Sequence, residues 1–226
     1  MKRVTAIVLA AGKGLRFKSK IPKPLAQVNA KPLVIYALEV LGNHPDIAEI
    51  ILVANQDNLK VIENKIRQHR IRKIDKIVLG GKRRQDSVRN ALGFINPDRE
   101  LVLIHDAVRP LINRQIVSRV IKEARKSKAA IVGVPVKATI KSVGRGLTVD
   151  KTLNRESLWE IQTPQVFSRE LILEAYKKFG NMAVTDDASL VERLGRKVKM
   201  VMGSYANIKI TTPEDLAIAQ AIRNRI

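Results

Sequence analysis

The chain has 226 residues, of which 45% are hydrophobic, and it carries a formal net charge of +21 at pH 7. This length and apolar fraction suffice for one sizeable core, and no apolar run reaches the roughly 18 residues that predict a transmembrane helix. The absence of cysteine excludes a disulfide framework, a thiolate zinc site and a cysteine nucleophile. We therefore expect a cytoplasmic protein with no membrane partner. The basic charge suits either small polyanionic substrates or nucleic acid.

The first predicted element is a strand at residues 4–9, an apolar and partly β-branched run typical of a strand buried on both faces. It leads into the loop sequence AAGKG at residues 10–14, followed by the cations Arg16 and Lys23. Small residues and glycines let a backbone pass close to a ligand, and successive N–H groups can line an anion site. A buried strand that ends in a cationic glycine loop predicts a phosphate-binding site.

This loop matches neither of the two common phosphate loops. It lacks the Gly-Lys-Ser/Thr ending of Walker A, and the third glycine of the dinucleotide fingerprint would fall at Phe17. The alternative of an ordinary turn with solvated lysines does not explain the stiff cationic element Pro-Lys-Pro-Leu at residues 22–25. The loop is similar to that of the sugar-nucleotidyltransferase families, in which it wraps the triphosphate of a nucleotide.

Strands and helices then alternate along the chain. The patterns predict strands at 49–54, 75–79, 101–104, 129–134, 198–202 and 208–210, and helices at 32–41, 58–70, 84–92, 114–127, 169–179 and 187–194, with a last helix opening at Pro213. This alternation predicts right-handed crossovers and a mainly parallel sheet. We expect an α/β fold, a Rossmann-like three-layer sandwich formed by a single domain over residues 1–226.

Residues 136–158 interrupt this rhythm. Residues 137–143 alternate loosely, Gly144-Arg145-Gly146 is a hairpin turn signal, and residues 147–153 run back. The pattern predicts a β-arm that projects from the sheet.

Candidate functional residues follow several predicted strands, where ligands of open parallel sheets bind. Gly81 precedes Arg84 and Ser87 at a helix start, which suits a base edge or a phosphate, although a plain capped helix has the same pattern. Asp106 and Arg109 follow the next strand and could hold a divalent metal beside a phosphate, or simply pair with each other.

Three further residues have a functional and a structural interpretation. His105 is predicted to be structural. Asp186 and Asp187 precede a helix, where they could bind metal or cap the helix. Lys209 lies between isoleucines and needs an anionic partner if it is buried.

Taken together, the order and spacing of these segments closely resemble the 2-C-methyl-D-erythritol 4-phosphate cytidylyltransferase family over nearly the whole chain. The resemblance implies a homodimer, held through the arm at about 136–158, that joins CTP to a sugar-alcohol phosphate with Mg²⁺ and releases pyrophosphate. By the same resemblance, the catalytic residues are Arg16, Lys23, Arg155 and Lys209, and Asp106 is the metal ligand. The implied substrate contacts are Ala10, Ala11, Gly12, Gly14, Gly81, Arg84, Ser87, Asp106, Ala107, Arg109, Thr139, Thr163 and Thr185.

The sequence departs from the family pattern at Pro24-Leu25, where a glutamine and an aromatic residue are expected, and at Ala206, where an acidic residue is frequent. These departures affect substrate fit and leave ribitol 5-phosphate open as an alternative acceptor. A basic nucleic-acid-binding protein is the alternative from another class, but aromatic residues for base stacking make up only 4% of the chain. We therefore expect no nucleic-acid partner.

Overall fold

The computed structural model describes residues 4–12, 14, 17 and 21–225, and the description below applies to these residues. A seven-stranded sheet in the order β11-β7-β10-β6-β1-β4-β5 forms the centre of the molecule. Two two-stranded ribbons, β2-β3 and β8-β9, lie outside it. The strands are β1 (Val4–Leu9), β2 (Gln27–Val28), β3 (Lys31–Pro32), β4 (Ile47–Ala54), β5 (Ile74–Leu79), β6 (Leu101–Asp106), β7 (Ala129–Pro135), β8 (Lys141–Val143), β9 (Val149–Thr152), β10 (Trp159–Ser168) and β11 (Lys199–Met202).

Helices cover both faces of the sheet. They are α1 (Leu33–Gly42), α2 (Leu59–Gln68), α3 (Arg84–Leu92), α4 (Arg114–Ser127), α5 (Arg169–Phe179), α6 (Ala188–Arg193) and α7 (Pro213–Arg223). Side chains of α1, α2 and α4 pack in one buried cluster, and those of α3, α5 and α6 pack in another. Successive β1 residues alternate between the clusters, Ala6 and Val8 in the first and Ile7 in the second, as a strand buried on both faces requires. The predicted three-layer α/β sandwich is confirmed.

The sheet differs from the prediction at two places. The long strand β10 is missing from the prediction, and it pairs antiparallel with both β6 and β7. Gln162, Thr163 and Pro164 interrupt its apolar pattern, and the register of its pairing with β7 shifts between Gln162 and Gln165. The predicted strand at 208–210 is wrong, because this segment belongs to no sheet. A backbone hydrogen bond from the Ile210 N–H to the Val108 carbonyl (2.9 Å) still brings Lys209 beside the end of β6.

The arm is present, with shorter strands than predicted. Only β8 and β9 pair, and the predicted tight turn is a 3₁₀ turn at Arg145–Leu147 in which Gly146 has a φ of 69°. Leu147, at its end, is 90% exposed, and all four residues of β9 are exposed. The arm joins the sheet where the Val136 N–H donates to the Leu158 carbonyl. The described part of the chain has no helix that is both long and apolar enough to cross a membrane.

Candidate active site

The larger of two adjoining cavities, about 910 Å³, opens where β1, β5 and β6 end. Its wall includes residues from the loop after β1, from the loop between β5 and α3, and from the extended segment that carries Lys209. Those that the sequence analysis singled out are Ala11, Gly12, Gly14, Lys23, Gly81, Arg84, Ser87, Asp106 and Lys209. The structure therefore brings together cationic side chains and glycine backbone at the edge of the sheet where ligands bind in such folds.

Glycine is required on the side of this cavity formed by the β5–α3 loop. A Cβ at Gly80 would lie 2.4 Å from the Ala11 Cβ and 2.8 Å from the Ser87 Oγ. A Cβ at Gly81 would lie 2.4 Å from the Asp86 Cβ. The Gly81 N–H donates to the Ser87 Oγ (3.1 Å), which ties the loop to the first turn of α3. Gly80 therefore allows this loop to approach the loop after β1 closely, and Gly81 allows it to pack against the first turn of α3.

The loop after β1 is held from the opposite side. Gly14 has a φ of 64°, a left-handed conformation that favours glycine. A Cβ added at Gly14 would lie 3.2 Å from both Cβ and Cε of Lys23, so the aliphatic part of Lys23 lies against this glycine. Asn58, fully buried before α2, donates its amide to the Ala10 carbonyl (3.1 Å). The described part of the loop is therefore fixed by local geometry.

Asp106, the last residue of β6, is the centre of the charged part of the site. Its Oδ1 accepts from the Arg84 Nε (3.2 Å), and its Oδ2 accepts from the Lys209 Nζ (2.7 Å). Arg84 also donates from Nη1 to the Oδ2 of Asp187 (2.8 Å). Four segments that are distant in the sequence thus contribute alternating charges to one cluster.

Electrostatics keep this cluster ionised. Burial alone would raise the pKa of Asp106, but the cationic groups of Arg84 and Lys209 hold that pKa well below its usual range. Burial would lower the pKa of Arg84, but the nearby carboxylates of Asp187 and Asp106 have the larger effect, so the pKa of Arg84 is raised. Lys209 and Arg84 each keep N–H donors beyond those bonded to Asp106 and Asp187, so an anionic ligand can bind them beside the carboxylates.

A second cavity of about 450 Å³ shares Arg84, Asp106 and Lys209 with the first. Arg109, Thr163 and Thr185 line it, together with apolar side chains of β7, β10 and β11. The Arg109 side chain is directed to backbone carbonyls, donating from Nη1 to Asn207 (2.7 Å) and from Nη2 to Ile161 (3.3 Å). These bonds fix the segment before Lys209 against β10, so Arg109 contributes structure to both cavities.

His105 lies behind the site and lines neither cavity. It is fully buried, its Nδ1 lies 3.0 Å from the Thr163 Oγ1, and burial lowers its pKa to about 4. The Thr163 Oγ1 also accepts from the Asp106 N–H (3.1 Å). His105 therefore orients Thr163 and, through it, the end of β6.

A bound Mg²⁺ would have one protein ligand in this cluster. Among the described residues, no group of three or more histidine, cysteine or carboxylate side chains could hold a metal ion. Mg²⁺ is commonly held by one or two carboxylates together with substrate phosphates and water. The Asp106 carboxylate fits that arrangement when a nucleotide supplies the other oxygens.

The remaining residues expected at the site lie elsewhere. Ala10 and Ala107 are buried beside the larger cavity without lining it. Thr139 and Arg155 belong to the arm and line neither cavity, and the Arg155 Nη1 donates to the Lys137 carbonyl (2.8 Å). Arg16 lies outside the described residues. The single chain therefore does not bring the arm residues to the cluster around Asp106.

The sequence analysis missed several residues that the structure places at or behind the site. Asn55, Gln56 and Asp57 line the larger cavity directly after β4. They follow a buried strand, so the rule that placed the other site residues would have found them. Asp187 was treated as a cap or a metal ligand, and its partnership with Arg84 leaves no mark in the local sequence.

An open, mainly parallel sheet with a cationic, glycine-lined cavity at the carboxyl ends of its strands is an arrangement that many nucleotide-binding proteins share, and the sequence of the loop after β1 resembles that of nucleotidyltransferases. Comparisons with known proteins give the family. The family model "IspD: 2-C-methyl-D-erythritol 4-phosphate cytidylyltransferase" matches residues 4–225. The chain belongs to this family.

Individual relatives agree. A 2-C-methyl-D-erythritol 4-phosphate cytidylyltransferase of Syntrophus aciditrophicus is 46% identical over 222 residues, covering 97% of this chain and 95% of the relative. One of Clostridium botulinum is 42% identical over 229 residues and the full length of both. The crystal structure of 4-diphosphocytidyl-2C-methyl-D-erythritol synthase from Anaerococcus prevotii has a TM-score of 0.87 and 36% identity, covering 99% of this chain and 96% of that one.

Proposed function

We propose that the larger cavity binds the nucleotide and that the cluster around Asp106 is where the two substrates of a cytidylyl transfer meet. The chain is a cytidylyltransferase of isoprenoid biosynthesis that acts on CTP and 2-C-methyl-D-erythritol 4-phosphate. The observation that supports our assignment of the site is the convergence of Lys23, Arg84 and Lys209 on a cavity lined by Gly12 and Gly81.

In the proposed reaction, a phosphate oxygen of the acceptor attacks the α-phosphorus of CTP. The new P–O bond forms as the bond to the β-phosphate oxygen breaks, and pyrophosphate leaves. The acceptor phosphate is already ionised near neutral pH, so no general base is required. The protein's task is to position two anions and to neutralise the charge that spreads over the phosphates.

Each cationic residue has its own part in this proposal. Lys23, whose aliphatic part lies against Gly14, donates to the triphosphate together with Arg16, which the resemblance places in the same loop. Lys209 exchanges Asp106 for the acceptor phosphate, and Arg84 keeps Asp106 in place. Mg²⁺, held by Asp106 and the triphosphate, would supply further neutralisation of the phosphate charge.

The acceptor is tested directly by measuring pyrophosphate release with CTP and either 2-C-methyl-D-erythritol 4-phosphate or ribitol 5-phosphate under identical conditions. We expect kcat/KM to be at least about 100-fold higher with the methylerythritol phosphate, because a buried polar site discriminates strongly between polyols. Equal or higher activity with ribitol 5-phosphate would reject 2-C-methyl-D-erythritol 4-phosphate as the preferred acceptor. Omission of Mg²⁺ in the presence of a chelator should abolish release in the same assay.

The nucleotide is tested by replacing CTP with UTP. The two bases differ by an amino donor against a carbonyl acceptor, so backbone acceptors that bind the amino group are left unpaired by UTP. We expect CTP to be preferred by about 100-fold in kcat/KM. Equal use of both nucleotides would show that the base is not recognised.

We also propose that the chain acts as a homodimer in which the arm of one protomer reaches the active site of the other. The support is that Thr139 and Arg155, which match substrate contacts, lie on an arm remote from both cavities. The arm also exposes the apolar side chains Val143, Leu147 and Val149, and an isolated two-stranded ribbon is marginal in water without something to pack on.

The dimer is tested by mixing two inactive variants, Arg16→Ala and Arg155→Ala, after mild dissociation. If the arm crosses, each heterodimer has one site with both defects and one with neither, and random pairing restores about a quarter of all sites. A mixture as inactive as its parents would reject the crossed arm.

A cytoplasmic location, which we propose because CTP is a cytoplasmic metabolite, is checked by fractionation of the source cells.

A further inference from the structure

We infer that Tyr176 and Asp187 are positioning residues that hold the Arg84 guanidinium in the wall of the nucleotide cavity. Neither residue lines either cavity, so both act through Arg84 and do not touch a substrate. The inference rests on our proposal that the larger cavity, which Arg84 lines, binds the nucleotide. It adds Tyr176 of α5 and Asp187, just before α6, to the residues that serve the reaction.

Both oxygens of the Asp187 carboxylate are engaged in the structure. Oδ2 accepts from the Arg84 Nη1 (2.8 Å), and Oδ1 accepts from the Tyr176 hydroxyl (2.5 Å). The backbone N–H of Asp187 donates to the Gln165 Oε1 (3.2 Å). Asp187 is fully buried, so its orientation is fixed by these bonds and by the packing around it.

Arg84 connects this buried carboxylate with the open cavity. Its Nη1 is bound to Asp187 on the closed side, its Nε is bound to Asp106 on the open side, and 29% of its side chain is exposed. An arginine side chain has many rotamers, and a second fixed partner removes most of them before a ligand arrives. Asp187 therefore pre-organises Arg84 from the side that faces away from the cavity.

Tyr176 is suited to holding Asp187 as a donor at any working pH. Burial, and next the neighbouring Asp187 carboxylate, raise the pKa of the Tyr176 hydroxyl well above its ordinary value. The hydroxyl therefore keeps its proton and continues to donate to Asp187. Tyr176→Phe removes this hydroxyl, so the Oδ1 of Asp187 loses its donor while the ion pair between Asp187 and Arg84 remains.

The molecule offers matched controls for a purely structural role. Glu49 is a buried carboxylate that accepts from the Arg99 Nη2 (3.0 Å) and the Thr5 hydroxyl (2.6 Å), and it lies at the opposite end of the sheet. Tyr36 is a buried tyrosine whose hydroxyl donates to the Val28 carbonyl (2.7 Å). Glu49→Gln therefore removes the charge of a buried, arginine-bonded carboxylate and Tyr36→Phe removes a buried tyrosine hydroxyl bond, both at residues that line neither cavity.

The test is calorimetric titration of CTP, without acceptor, into the full-length wild type and these four variants, with thermal melting and steady-state kinetics in parallel. We expect Tyr176→Phe to raise the Kd for CTP about fivefold and Asp187→Asn to raise it about tenfold, with kcat changed less than about twofold. The controls should melt at lower temperatures and bind CTP like the wild type. If Tyr176→Phe and Asp187→Asn also melt lower and bind CTP normally, the residues are structural only and the inference is wrong.

A double-mutant cycle on the Kd for CTP checks that the effect passes through Arg84. Tyr176→Phe should add less than about twofold to the Kd of Arg84→Ala, although it adds fivefold to that of the wild type. Equal effects in both backgrounds would reject the inference. A normal Kd for CTP in Arg84→Ala would reject both the inference and a role for Arg84 in binding the nucleotide. Wild-type turnover in the same preparation reports on the cytidylyl transfer independently of these outcomes.

Discussion

The two ends of the central sheet each hold a buried carboxylate paired with arginine, yet only one of them faces a cavity. At the carboxyl end, Asp106 binds Arg84 (3.2 Å) and Lys209 (2.7 Å) at the meeting point of two cavities. At the amino end, Glu49 binds Arg99 (3.0 Å) and Thr5, and none of the three lines either cavity. Burial and pairing are therefore common to a structural pair and to an active-site cluster.

Two features distinguish the carboxyl end. Gly80 brings the β5–α3 loop within contact distance of the β1 loop, and both loops line the larger cavity. The Asp106 carboxylate also binds two cations from different segments, so one of them can turn to a substrate while the other holds the carboxylate. Among the described residues, Glu49 has one cationic partner and one hydroxyl partner, so an exchange of that cation would leave a buried charge unpaired, which is costly.

The largest effect is expected for a cation of the carboxyl end. Lys23→Ala should lower kcat by roughly 10²–10³ and leave the thermal transition unchanged within a few degrees, since it removes one donor to the charge that develops on the triphosphate. The measurement is pyrophosphate release at saturating substrates. Lys178→Ala, on the exposed face of α5, is the control. Turnover of Lys23→Ala within threefold of the wild type would remove Lys23 from the mechanism.

The glycine requirement gives the next effect. Gly80→Ala should lower kcat/KM by about 100-fold, because its Cβ would lie 2.4 Å from the Ala11 Cβ and force the two loops apart. Gly93→Ala is a matched control, since a Cβ there meets only the Asn90 carbonyl, at an ordinary 3.6 Å. Both variants are compared by steady-state kinetics. A fully active Gly80→Ala enzyme would show that close approach of the loops is not what forms the cavity.

A smaller effect concerns stability at the carboxyl end. Burial lowers the pKa of His105 from its ordinary value of 6.5 to about 4. The unfolded chain therefore binds more protons than the folded chain between these values, and stability falls as the pH drops through this window. Between pH 7 and pH 5, protonation of His105 in the unfolded chain should lower the free energy of unfolding by about 2 kcal/mol.

Urea unfolding at the two pH values checks this expectation. His105→Gln should reduce the loss of stability by about 2 kcal/mol, whatever its stability at pH 7, because glutamine does not titrate. If His105→Gln keeps the full pH dependence, the imidazole does not stay neutral in the folded protein.

The sequence predicted the elements whose signal is local. Helices 84–92, 114–127 and 169–179 coincide with α3, α4 and α5, since each has apolar residues at helical spacing on the face that packs on the sheet. β10 was missed because Pro164 and two glutamines interrupt its alternation, while pairing on both sides still holds it. Tertiary hydrogen bonding in this case overrides the local pattern.

The site was predictable to the extent that its residues follow strands. The rule of strand ends found Gly81, Asp106 and the β1 loop, and it would also have found Asn55. It could not find the bond between Arg84 and Asp187, which joins residues 103 positions apart. Nor does the single chain show where Arg155 acts, because Arg155 lies on the arm and lines neither cavity.

The central claim is that the chemistry lies at the carboxyl end of the sheet and depends on Asp106, and it is tested most directly by Asp106→Asn beside Glu49→Gln. Both variants lose the charge of a buried carboxylate and should unfold more easily, by about 1–3 kcal/mol. We predict that kcat/KM for CTP with 2-C-methyl-D-erythritol 4-phosphate falls about 100-fold in Asp106→Asn and stays within twofold of the wild type in Glu49→Gln. Equal losses in the two variants, or a fully active Asp106→Asn enzyme, would contradict the account.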